Sequence, residues 1–211
     1  MNNQSRQYLI GIAGGSGSGK TTFIEKLRER FAITELCIIS QDNYYKKREN
    51  QITDAMGVKN FDLPSSVDLH DFYLDIQRLK EGESVERLEY TFNNPDAKTR
   101  LIVTHSAPVI VAEGIFVFST QELLSLYDLK ILIDATDDKK IIRRIKRDRL
   151  ERNYPLEDVL YRYENHVVPA YNQYIAPFKK EVDIIINNND SFEAGLEILS
   201  AFIQFKLSVR I

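Results

Sequence analysis

Nine consecutive residues, Gly14-Gly15-Ser16-Gly17-Ser18-Gly19-Lys20-Thr21-Thr22, have the types and spacing to hold a polyphosphate. They contain Gly-x-x-x-x-Gly-Lys-Thr, the pattern of a phosphate-binding loop. Glycines let the backbone curl until several N–H groups point into one hollow. A helix beginning at the end of the loop adds unpaired N–H groups and partial positive charge. Lys20 brings a full charge toward the outer phosphates, and the Thr21 hydroxyl can ligate Mg²⁺. The flanks agree with this use. An apolar run, residues 8–13, precedes the loop, and Phe23, Leu27 and Phe31 follow at helical spacing. A flexible Gly/Ser linker is the other reading, but a linker does not end in Gly-Lys-Thr-Thr between a buried strand and a helix.

Phosphoryl transfer also needs an aligned hydroxyl, a cation bridging phosphates and positive charge on the moving group. Three acids follow apolar runs and so should face the same cleft: Asp42, Glu113 and Asp134. Asp42 suits orienting a hydroxyl and accepting its proton. Glu113 suits a Mg²⁺ role beside Thr21. Asp134 is read as a helix cap or loop anchor. Residues 138–152 carry eight Lys/Arg against three acids, with Ile141, Ile142 and Ile145 as an apolar stripe. Arg144 and Arg147 share a helix face and Arg152 lies just beyond. The segment reads as a lid bringing guanidinium groups to a triphosphate. A solvated helix face and a basic surface for nucleic acid are the other readings of the run. His70, His105 and His166 are isolated from one another and lack metal-ligand spacing, so each is read as structural or exposed. Tyr90 and Phe92 could clamp a flat ring or simply pack.

These residues need a scaffold. Apolar runs at 8–13, 36–40, 109–112, 129–133 and 182–186 lack clean alternation, as expected of strands buried on both faces. Between them, helical spacing appears in Leu69, Phe72, Tyr73, Ile76 and Leu79, in Ile141, Ile142 and Ile145, and in Leu196, Leu199 and Ile203. The alternation implies an α/β class: a parallel sheet with helices on both faces and ligands beyond the carboxyl ends of the strands. With the phosphate-binding loop after the first strand, the P-loop NTPase fold is expected. Residues 87–105 break the pattern as two short strands, 88–92 and 100–105, around Asn93-Asn94-Pro95-Asp96, and are read as an inserted β-hairpin. One P-loop domain over 1–211 is expected, with the hairpin at 87–105 and the lid at 138–152. The net charge of −3 argues against a nucleic-acid or membrane partner. Cys37 is the only cysteine, which excludes a disulfide framework. No apolar stretch approaches the ~20 residues of a membrane span, and residues 1–7 lack a signal-peptide core, so a cytoplasmic protein is expected.

Taken in order, these motifs resemble the uridine–cytidine kinase branch of the phosphoribulokinase/uridine kinase family, over roughly residues 8 to 187. Ser40-Gln41-Asp42-Asn43-Tyr44-Tyr45 resembles the segment carrying that family's catalytic aspartate and a nearby tyrosine. Asn60-Phe61-Asp62-Leu63-Pro64 resembles its ribose-holding segment; on composition alone Asp62-Leu63-Pro64 would be an ordinary turn. Tyr90-Thr91-Phe92 resembles the hairpin that packs on the pyrimidine, and Ala112-Glu113-Gly114-Ile115 the strand end near Mg²⁺. Arg143-Arg144-Ile145-Lys146-Arg147-Asp148 with Glu151-Arg152 resembles the lid. The chain departs from the family where the base is read. Residues 93–98 hold no histidine, Asn153-Tyr154 stand where the family has Gly-Arg, and Arg162 stands where it often has a glutamine.

The resemblance implies an ATP-dependent kinase with Mg²⁺, acting on the 5′-hydroxyl of a pyrimidine ribonucleoside. Gly14 to Thr22 would bind ATP, and Thr21 and Glu113 the metal. Asp42, Lys20, Arg147 and Arg152 would carry catalysis, and Asp62, Tyr45, Tyr90, Phe92 and Arg144 would hold the acceptor. A homo-oligomer is expected because similar enzymes commonly are. A kinase of a sugar phosphate or pantothenate-like alcohol is the nearer alternative, and a nucleotide-dependent binding protein the farther one. The chain has no Asn-Lys-x-Asp run of the kind that reads guanine.

Overall fold

The computed structural model describes residues 6–92, 98–150 and 152–209. In chain order the first half runs β1 (Tyr8–Gly14), α1 (Lys20–Arg28), β2 (Leu36–Ser40), α2 (Leu69–Lys80), β3 (Val85–Leu88), β4 (Leu101–Thr104) and β5 (Val109–Gly114). The second half runs α3 (Gln121–Leu126), β6 (Leu129–Asp134), α4 (Asp137–Leu150), α5 (Leu156–Arg162), α6 (Val168–Tyr174), β7 (Ile184–Asn187) and α7 (Glu193–Val209). Five strands make one parallel sheet in the order β2-β5-β1-β6-β7. The order reverses direction at β1, so the glycine loop leaves the sheet at its topological switch point, where α/β proteins bind ligands.

Successive residues of each strand feed two different cores. Leu9, Ile110 and Leu132 pack with Phe72, Ile76 and Leu79 of α2. Ile10, Val111 and Ile131 pack on the other face with Phe23 and Leu27 of α1 and Leu196, Leu199 and Ile203 of α7. This is why the strand sequences read as continuous apolar runs. Each fully buried large side chain contributes roughly 1.5–3 kcal/mol relative to exposure, and together they hold the strand ends rigid under the loops.

Three boundaries differ from the expectation. Helix α1 ends at Arg28, and Phe31 packs on the same core from the turn beyond it. Strand β7 starts at Ile184, while Val182 lies against the opposite core. The first hairpin strand sits earlier than 88–92, at Val85–Leu88, while the second, Leu101–Thr104, falls within the expected 100–105; Val85 pairs with Thr104 and Leu88 with Leu101, in a separate two-stranded sheet. One further backbone bond joins the Glu89 N–H to the Arg100 carbonyl at 2.8 Å; beyond it Tyr90 gives its N–H to the Asn43 side chain at 3.1 Å, and Phe92 turns into the left-handed region with φ 51°. The expected turn at 93–96 lies outside the described residues.

Helices α5 and α6 form one rod joined by a π-type turn at Tyr163–Val167. Pro169 has no N–H to donate, and the helix widens just before it. The wide turn places His166 and Val167 inward.

Candidate active site

The glycine loop is held from outside as well as by its own turns. Ser18 donates its N–H to the Gly15 carbonyl at 3.0 Å, and Phe23 closes the first helical turn onto Gly19. Gly17 and Gly19 have φ of 81° and 90°, where L side chains are strained. A methyl on Gly17 would run into the Lys140 carbonyl, and one on Gly19 into the Asn188 amide. That amide donates to the Ser18 carbonyl at 2.8 Å, while the Asn188 N–H donates to the Asp134 carbonyl at 2.7 Å. The curl of the loop is thus referenced to the ends of β6 and β7. Gly19→Ala should weaken Mg-ATP binding at least tenfold, since the left-handed backbone alone costs about 1–2 kcal/mol before the collision with Asn188. Titration calorimetry checks this; unchanged affinity would contradict the loop's assignment.

At the floor of the cleft three charged groups meet. Register pairs Glu113 with Ser40 on one side and Ile12 on the other, so Glu113 stands between β1 and β2. Glu113, only 6% exposed, forms an ion pair with Lys20. Asp42 leaves β2 on a short 3₁₀ turn capped by Ser40 Oγ, which accepts its N–H at 3.3 Å. Gln41 points the other way and accepts the Phe116 N–H at 2.8 Å, tying that turn to the end of β5. Burial, opposed by Lys20 and reinforced by Glu113, leaves the Asp42 carboxyl pKa raised above its ordinary value. Burial works against the Lys20 ammonium, yet Glu113 and Asp42 hold its pKa above the ordinary value. Lys20 is therefore paired with Glu113 and lies in the field of Asp42. That donor set, with the exposed Thr21 hydroxyl nearby in sequence, fits a Mg²⁺ ion held by one or two protein groups plus phosphate oxygens. Among the described residues no three His, Cys, Asp or Glu form a metal-holding group by themselves.

The acceptor candidates adjoin this floor. Asp62 is raised in pKa by burial, an effect opposed by Arg144, His166 and Arg162. The Tyr45 hydroxyl is raised in pKa by burial and by the fields of Asp42 and Asp62. The rings of Tyr45 and Tyr90 stack at 5.1 Å with 23° between planes. Tyr90 and Phe92 meet edge to face at 5.1 Å and 70°, so they do not form a parallel clamp. A cavity of about 110 Å³ opens between Gly15, Ser16 and Asp62 on one side and Tyr163 and Tyr171 on the other.

The basic helix faces the loop with selected residues only. Arg144 Nη1 donates to Ser16 Oγ at 2.7 Å and Arg147 Nη2 at 3.5 Å. Arg152 lies over the Phe92 ring at 4.6 Å. Arg143 turns away to the Asn189 carbonyl, and Lys146 and Arg149 are exposed. The segment is therefore a solvated face for some of its charges and a loop-facing one for others. Glu151 lies outside the described residues. Asp134 is an anchor, accepting from Lys179 at 2.6 Å and standing 3.5 Å from Lys140. Thr22 is exposed at the start of α1. His70 and His105 are exposed, and buried His166 bonds Asp54 at 2.7 Å. Arg162 gives Nη1 to the Lys59 carbonyl at 2.8 Å, bracing the loop that leads to Asp62.

Two contributors carried no role in the sequence reading. Asn188 had no signal, because its partner lies 170 residues away. Asp148 did have one: an acid four residues after Arg144 within a basic run.

A glycine loop at the sheet's switch point, a buried lysine–carboxylate floor and arginines reaching the loop define a P-loop kinase. The chain belongs to the Phosphoribulokinase / Uridine kinase family, matched over residues 9–192. It is 38% identical over 196 residues to a uridine kinase of Borrelia duttonii (strain Ly), covering 93% of this chain and 94% of that one. It is 35% identical over 205 residues to a uridine kinase of Macrococcus caseolyticus (strain JCSC5402), covering 97% and 100%. Its fold matches phosphoribulokinase from Rhodobacter spheroides with TM-score 0.61 at 18% identity, over 87% of this chain and 71% of that one. Among the described residues no helix is long and apolar enough to cross a membrane.

Proposed function

We propose that the protein moves the γ-phosphoryl group of ATP to the 5′-hydroxyl of a pyrimidine ribonucleoside, with uridine as the first acceptor. The observation that carries this reading is the junction of Lys20, Glu113 and Asp42 beside Asp62 and the Tyr45–Tyr90 stack. The N–H groups of Gly14 to Thr22 and the Lys20 ammonium would hold the phosphates. Mg²⁺, held by Thr21 and Glu113, would neutralise phosphate charge. Asp42 would receive the hydroxyl proton; its burial makes the carboxylate a stronger base than an exposed one. Asp62 would hold the ribose hydroxyls, with Arg144 between sugar and loop. Tyr45, Tyr90 and Phe92 would offer the base an aromatic face. Arg147 and Arg152 would balance charge on the moving group, and the lid would exclude water that otherwise hydrolyses ATP. Such a reaction is a pyrimidine salvage step, placed in the cytoplasm, and a homo-oligomer is part of this reading.

The base-reading side is where another acceptor class could enter. Arg162 is donor-only and already engaged by the Lys59 carbonyl. A coupled assay with Mg-ATP and a panel of uridine, cytidine, a sugar phosphate and a pantothenate-like alcohol tests the reading. The expected result is turnover of a pyrimidine nucleoside at least a hundredfold above the non-nucleosides, within the range that pocket contacts can discriminate. Turnover of only a non-nucleoside would transfer the site to that substrate.

A further inference from the structure

Asp148 is 3% exposed although it lies in the most basic stretch of the chain. Its Oδ1 accepts from Arg147 Nε at 2.9 Å and lies 3.5 Å from Arg152 Nη1. Its Oδ2 lies 3.2 Å from Arg144 Nε. One carboxylate therefore faces three guanidinium groups, one of them outside the helix. Its backbone takes part too: the Asp148 carbonyl accepts the Tyr154 N–H at 3.0 Å, closing the turn that carries Arg152. An ordinary pair four residues apart on a helix is solvated and joins two side chains. This one is buried and joins four.

The geometry has a consequence for the arginines' free ends. Asp148 accepts a hydrogen bond from Arg147 Nε and stands in ion-pair range of Arg144 Nε, and an Nη group of each arginine points away from it. Those groups reach Ser16 Oγ, in the middle of the glycine loop, at 2.7 and 3.5 Å. A guanidinium held at Nε presents a terminal fork suited to phosphoryl oxygens. Without the carboxylate, three cations would share a space that already disfavours charge. Burial, together with Arg147 and Arg144, lowers the pKa of Arg152, and Asp148 opposes that shift.

We propose that Asp148 is a positioning residue that sets the Nη edge of Arg147 and the guanidinium of Arg152 toward the transferring phosphoryl group, and the Nη edge of Arg144 between the sugar and the loop. The inference rests on the phosphoryl-transfer reading above. Asparagine at this position would keep one acceptor oxygen and turn an amide donor against at least one guanidinium donor. Its effect should fall on the rate of transfer rather than on nucleotide binding, which the loop supplies.

The test compares Asp148→Asn and Asp148→Glu with wild type in uridine phosphorylation, in acceptor-free Mg-ATP hydrolysis and in thermal melting. Asp148→Asn should lower kcat about 30- to 100-fold, less than the loss of an arginine itself, with KM for Mg-ATP changed by no more than about threefold. Asp148→Glu, which keeps the charge but shifts it, should fall about 3- to 10-fold. The same ordering should appear in ATP hydrolysis. A wild-type protein that hydrolyses Mg-ATP but ignores nucleosides would sink the acceptor reading, and the hydrolysis rates would then decide the role of Asp148. Wild-type kcat in Asp148→Asn, or a loss that Asp148→Glu does not relieve, overturns the inference. If Asp148→Asn does not fold, Asp148→Glu decides alone: unchanged kcat overturns the proposal, and a fall at constant KM upholds it.

Discussion

Asp42→Ala should lower kcat about a thousandfold, in the middle of the range for a positioned acid–base group, while Mg-ATP affinity stays within about threefold. The separation is expected because Asp42 stands on the β2 side of the cleft, whereas in the proposed site the phosphates are held by the loop after β1. The same burial that makes it a strong base makes it a burden on the fold. A carboxyl whose pKa is raised in the folded state favours folding when protonated, and that advantage is lost as pH rises through the raised value. Asp42→Asn should therefore raise the melting temperature at pH 8 while removing activity, and the gain should shrink toward pH 4. In wild type, kcat should fall on acidification at a pH above the ordinary carboxylate range. Steady-state kinetics and calorimetric melting at both pH values check this. Equal loss of binding and turnover, or a melting temperature lowered at pH 8, would make Asp42 a structural residue instead.

Lys20→Met should have the broadest effect, weakening Mg-ATP binding and lowering kcat by at least about a hundredfold. Here function and stability fail together. Removing the ammonium leaves Glu113 buried without its cation beside Asp42. Breaking one side of a buried pair costs about 3–5 kcal/mol. The double variant Lys20→Met/Glu113→Gln separates the two consequences. It should recover most of the melting temperature, because the orphaned charge is gone, and none of the turnover. Recovery of both would mean that Lys20 serves only to neutralise Glu113.

Much of the scaffold was legible because its physics is local or periodic. Strands buried on both faces leave unbroken apolar runs, and Leu9 and Ile10 on opposite cores show why β1 reads that way. The glycine loop was legible because positive φ at Gly17 and Gly19 demands glycine. Asp62 was not legible from pattern. Its value lies in what surrounds it, Arg144 and His166 from distant helices, and only the family resemblance singled it out. Asn188 was invisible because a carbonyl clamp has no residue-type signature. The first hairpin strand was displaced because Tyr90 and Phe92 look like strand residues, yet Asn43 and Arg152 capture them first. Among the charges of residues 138–152, the sequence could count arginines but not decide which ones turn inward; Arg143 and Arg144 are neighbours that point to different partners.

The most direct test is a crystal structure with Mg²⁺, a non-hydrolysable ATP analogue and uridine bound together. The β- and γ-phosphates should lie within hydrogen-bonding reach of the loop N–H groups and Lys20, with the uridine 5′-oxygen between Asp42 and the terminal phosphorus. A triphosphate bound elsewhere, or a nucleoside whose 5′-oxygen lies out of reach of Asp42, would contradict the proposed transfer.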